Sequence, residues 1–225
     1  MPDTSLLSPV TVPLGGGLIL DQDDFSIPPG SAIELQNFEP SITSGWSTIG
    51  TRISAGRYKF DTFNFNNTDK LIMVDDVNQA ATYDGSTYAL ISTTGAPADP
   101  SSVAVFRDHV FYAGMSANPQ EITFSAPFVE TDFTPASGAG SIRVDTSVTA
   151  LKVFRDALYI FGLDKIYRLA GSSVADFQVQ PVTRSLGCAD GFSVQEVGGD
   201  LIFLSLDGLR TVAGTEKIGD VELGT

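Results

Sequence analysis

The chain has 225 residues, 42% hydrophobic and 10% aromatic, a composition that excludes disorder and can bury a core. Its net charge of −14 excludes an ordinary nucleic-acid binder, which presents basic patches to phosphates. Its single cysteine, Cys188, excludes an internal disulfide.

Residues 1–56 read as an extended arm or docking segment. They are rich in Gly, Pro and Ser, and Pro28-Pro29-Gly30 interrupts any regular element. Ile33 to Phe38 and Trp46 to Ile49 are candidate strands. Six acids (Asp3, Asp21, Asp23, Asp24, Glu34 and Glu39) precede the first base, Arg52. Such asymmetry suits docking on a basic partner or a solvated arm. Asp21, Asp23 and Asp24 do not make a calcium loop, because Pro28-Pro29 intrude and Ala32 stands where an EF-hand needs glutamate. The first residues lack the basic and apolar regions of a signal peptide. No apolar run approaches the roughly 20 residues of a spanning helix. The expectation is a protein without an export signal or membrane insertion.

Residues 57–225 are repetitive. "AVFRDHVFYAG" (104–114) returns as "KVFRDALYIFG" (152–162). Weaker echoes are "FNFNNTDKLIMVDD" (63–76) and "VQEVGGDLIFLSLDGLRTVAG" (194–214). The aligned aspartates are Asp69, Asp108, Asp156 and Asp200, at steps of 39, 48 and 44. A second marker, Asp132-Phe133 and Asp176-Phe177, recurs 44 residues apart. Self-similarity at this period is the mark of repeat architectures.

Within each unit the apolar runs are short, rich in Val, Ile, Leu, Phe and Tyr, and bounded by turn residues. Asp84-Gly85, Leu163-Asp164-Lys165 and Asp207-Gly208 read as hairpin turns. Each unit therefore holds three or four antiparallel strands. In "HVFYAG", "ALYIFG" and "LIFL" both alternating faces are apolar, so these strands are expected to be sandwiched between neighbours. The fold class is all-β, with β-propeller-like blades in residues 57–225. Four units are the lower limit for propellers. Either the chain makes a small ring, or it is the leading part of a longer protein and its propeller is incomplete, which is the favoured expectation. Residues 125–145 read as a long excursion and a candidate contact loop.

Chemical motifs are sparse. His109 is the only histidine, which excludes an H-E-x-x-H site and any site with two histidines. No G-x-S-x-G elbow and no phosphate-binding loop occur. Asp108 and Asp156 read as turn residues. Arg107 and Arg155 read as turn or blade-to-blade contacts, and His109 as structural. No catalytic, cofactor-binding or metal-binding residue is assigned, and no enzymatic activity is expected.

"PPGSAIELQNFEPSITSGW", the repeated V-F-R-D units and "SLGCADGFSVQEVGGDLIFLSLDGLRTVAG" together resemble the tail nozzle proteins of short-tailed bacteriophages, also called tail tubular protein B or stabilisation proteins. The resemblance runs from about residue 14 to the end. It implies a virion protein built around a β-propeller and assembled in the host bacterial cytoplasm. Six copies would form a ring below the tail adaptor protein. DNA would pass through without specific binding, and tail fibres or spikes would attach nearby. The net charge agrees with this, because a strongly acidic ring repels DNA from its wall. Two other classes stay open: a propeller that binds host-surface glycan, and a propeller glycoside hydrolase built on paired carboxylates.

Overall fold

The computed structural model describes residues 38–41, 45–48 and 57–214. The chain divides into two compact units, residues 1–53 and 54–225. In the first, β1 (Phe38–Ser41) and β2 (Gly45–Thr48) form an antiparallel hairpin with Phe38 opposite Thr48. The strand anticipated at Ile33 to Phe38 falls almost wholly outside the described residues, as does most of the anticipated arm.

The second unit is a succession of small antiparallel sheets, each a simple meander in chain order. Blade I holds β3 (Lys59–Phe65), β4 (Thr68–Val74), β5 (Ala81–Tyr83) and β6 (Tyr88–Leu90). Blade II holds β7 (Ser102–Phe106), β8 (His109–Ala113), β9 (Glu121–Phe124) and β10 (Gly140–Arg143). Blade III holds β11 (Val148–Phe154), β12 (Ala157–Gly162), β13 (Ile166–Ala170) and β14 (Gln178–Thr183). Blade IV has three strands, β15 (Gln195–Val197), β16 (Asp200–Ser205) and β17 (Gly208–Thr211). The fold is all-β and blade-like, compatible with an incomplete propeller.

The alternating side chains explain why the blades stack. In β8, Val110 and Tyr112 enter a core with Phe65, Ile72 and Val74 of blade I. Its other face sends Phe111 and Ala113 into a core with Leu151, Leu158 and Ile160 of blade III. In β12, Tyr159 and Phe161 turn the other way, toward Leu201 and Phe203 of blade IV. Every residue of β8 and β12 is buried. Burying each large apolar side chain is worth roughly 1.5–3 kcal/mol, so the junctions between blades carry most of the stabilisation. The two-faced apolar pattern read from the sequence has this cause.

In β16 one face is buried and the other only partly covered among the described residues. Leu201, Phe203 and Ser205 are buried, whereas Leu204 is exposed. The trailing face of blade IV also exposes Val197 and Leu209. The leading face of blade I exposes Phe60 and Leu90.

Two sequence expectations need correction. Residues 125–145 are not a free excursion. Ala126 bridges Val129, Phe133 is buried in the blade I–II core, and β10 closes blade II as its fourth strand. Glu130, also buried, pairs with Lys70 of blade I. The aligned turn aspartates are also misplaced at two of four sites. The turns fall at Asn66-Asn67, Arg107-Asp108, Arg155-Asp156 and Gly198-Gly199, so Asp69 lies inside β4 and Asp200 begins β16. A tight turn between first and second strands demands left-handed backbone. Asn66, Asn67, Arg107, Asp108 and Arg155 all adopt it, as do Gly198 and Gly199.

Candidate functional site: blade junctions and hub

The V-F-R-D turns build the first part of the site. Arg107 Nε donates to Gly171 O of blade III at 3.0 Å, and Nη2 to Asp156 O at 3.5 Å. Arg155 Nη2 donates to Gly199 O of blade IV at 2.8 Å. In blade I, Asn66 Nδ2 donates to Phe128 O of blade II at 3.2 Å. The first residue of each such turn thus reaches a backbone carbonyl of the next blade. The series stops at blade IV, where the equivalent residue is Gly198. Each arginine also lies near the ring of the phenylalanine before it, 5.2 Å for Arg107 over Phe106 and 4.9 Å for Arg155 over Phe154. Both arginines are blade-to-blade contacts. Asp108 contributes backbone to this geometry: its carbonyl accepts from Phe128 N at 2.8 Å.

First strands are tied across junctions by side chains that cap backbone amides. Asp61 Oδ2 accepts from Val105 N at 2.7 Å, and Ser102 Oγ accepts from Leu151 N at 2.9 Å. His109 is buried within this framework. Its Nδ1 lies 2.6 Å from Ser125 O, and its ring meets Phe124 edge-on at 5.5 Å. Cys188 is buried as well, and burial pushes its thiol pKa up.

The marker Asp-Phe pairs occupy equivalent places, between the third and fourth strands of blades II and III. Phe133 plugs the I–II core, and Phe177 packs against the II–III core. Asp132 Oδ1 accepts from Thr134 N at 2.8 Å, and Asp176 Oδ1 from Ser173 N at 2.7 Å. Backbone and hydroxyl donors hold the Asp176 carboxyl down at about 2.

The hub is the part that sequence reasoning missed. A cavity of about 350 Å³ is lined by Lys59 and Asp61 of blade I, Ala104 of blade II, Lys152 of blade III, and Gly191 and Gln195 at the entry to blade IV. Above Phe192, Arg57 places its guanidinium 3.7 Å from the ring centre and Lys59 its ammonium at 4.6 Å. Arg57 also pairs with Asp190 at 3.4 Å, and Lys59 Nζ donates to Thr149 O at 3.1 Å. Burial lowers the Lys59 pKa. The Asp190 carboxyl is lowered, first by the Phe192 amide and then by Arg57. The one local signal was Asp190-Gly191, a turn dipeptide; nothing connects it by pattern to Arg57, 133 residues away.

Among the described residues no group of three or more His, Cys, Asp or Glu side chains gathers as a metal site. What the arrangement does is mechanical: arginines, capping carboxylates and aromatic plugs fix each blade on the next. No protein-family model matches the chain, and no curated protein sequence matches it.

Proposed function

We propose that this chain is a structural, non-enzymatic component of a short bacteriophage tail, one subunit of a nozzle ring below the adaptor through which DNA is ejected. The observation that carries the reading is the row of blades with exposed apolar side chains at each end among the described residues. Phe60 is 64% exposed and Leu90 51% on blade I; Val197 is 55% exposed and Leu209 74% on blade IV. Exposed apolar side chains on both terminal blades mark a protein that assembles with others. The acidic balance of 27 carboxylates against 13 bases supports passage of DNA without adhesion. The sequence resemblance supplies the particular assembly, a homohexamer that also contacts the adaptor and the fibres or spikes.

The test combines imaging and binding. Purified full chain is imaged by electron microscopy, then titrated into labelled duplex DNA at low and physiological salt. A six-fold ring with negligible DNA affinity at physiological salt is the expected result. Salt-resistant duplex binding, or particles without a central passage, would refute the reading.

A further inference from the structure

We propose that the contact between blade I and the loop entering blade IV is a releasable clasp, and that the row of blades opens there while blades II and III stay fixed on each other. The inference is independent of the tail reading.

Three junctions in the chain are apolar. Blades I and II share the core around Ile72 and Tyr112, blades II and III that around Phe111 and Ile160, and blades III and IV that around Phe161 and Phe203. Between blades I and IV, the described residues form no such core. Their link is the hub contact: Arg57 with Asp190, and Arg57 and Lys59 over Phe192; Lys59 Nζ also ties blade I to Thr149 O of blade III. The side chains of the ion pair are 68% and 44% exposed, so ions in solution compete with it directly. A junction held this way opens far more readily than one that must expose a core of phenylalanines.

The loop is nevertheless shaped for its seat. A side chain at Gly191 would collide with Thr149 O and come within 2.7 Å of Lys59 Nζ. The missing Cβ lets the loop lie directly on blade III while presenting Phe192 to the two cations. The clasp is therefore specific in shape and weak in binding, which is the combination a closure needs. On release, the hub cavity beside Lys59 gains a side entrance between blades I and IV.

Spin labels on the full chain test this. One pair spans the clasped junction, at the turn tips Ser86→Cys and Leu206→Cys, with labelled chain diluted into unlabelled chain so that only distances within one chain are read. A control pair spans blades II and III, at Ser141→Cys and Gln180→Cys. All four sites are exposed and the native Cys188 is buried, so it stays in place. At low salt the first pair should give one narrow distance. At high salt, and separately in Phe192→Leu and Arg57→Gln, a second and longer population should appear in that pair alone. An unchanged distribution for the first pair under all three conditions would overturn the clasp. Equal broadening of both pairs would also overturn it, because it would mean general loosening.

Discussion

Arg155 holds two opposing effects in one residue. Its φ of 52° is left-handed, a conformation that costs an L-residue roughly 1–2 kcal/mol. In return its guanidinium reaches Gly199 O of the next blade. Arg155→Ala keeps the unfavourable backbone and loses the hydrogen bond, so urea unfolding should show a loss of about 1 kcal/mol. Arg155→Gly loses the same bond but relieves the backbone, and should recover part of that loss. Equal losses in the two variants would contradict this division. Tyr112 should respond with the opposite sign. Its hydroxyl is buried without a hydrogen-bond partner among the described residues, and burial pushes the phenol pKa up. Tyr112→Phe removes an unsatisfied group at almost constant volume and should raise stability by about 1 kcal/mol. A drop in the urea midpoint would show that the hydroxyl has a partner. The Arg-Asp and Asp-Phe repeats were visible in the sequence because each serves two of the three junctions in the same way, Arg107 and Arg155 the later two and Phe133 and Phe177 the earlier two. Assigning the turn to the aspartate misplaced two of four sites, because asparagine and glycine satisfy the same left-handed geometry.

The connection between β13 and β14 shows how an element depends on one carboxylate. Asp176 accepts from the amides of Ser172 and Ser173 and from the Ser172 hydroxyl at 2.9 Å. Its folded-state pKa of about 2 lies below the ordinary 3.8. Its contribution is therefore complete above pH 3.8 and is lost as pH falls toward 2. Protection of the loop amides, taken relative to unstructured peptide at each pH, should fall across that window, and Asp176→Asn should lack it already at pH 5. Exchange in the variant equal to that of the native loop would refute the role. The inner strands were legible because two apolar faces or a hairpin dipeptide betray them. The outer strands of blades II and III were not. β10 has one apolar residue in four, at Ile142, and β14 carries Pro181 directly after exposed Gln178 and Gln180. Edge strands are protected from stray pairing by such residues, and that protection erases their sequence signal. The hub escaped for another reason: Arg57 and Phe192 meet only after the blades have stacked.

For the molecule as a whole, stacking resolves the two-faced blades but leaves one face of blade I and one of blade IV uncovered among the described residues. The strand "LIFL" is apolar on both sides, yet Leu204 meets solvent. A neighbouring surface on that side would resolve the mismatch, which is why the proposed assembly and the fold belong together. Charge works in the opposite direction, since a net −14 on every copy makes like copies repel, so the apolar faces must outweigh that repulsion. Sedimentation velocity of the full chain beside the double variant Leu204→Asp, Leu209→Asp is the most direct test. The expected result is a multimer of six copies for the native chain and a folded monomer for the variant. Native chain that sediments as a monomer at every concentration, indistinguishable from the variant, would contradict it.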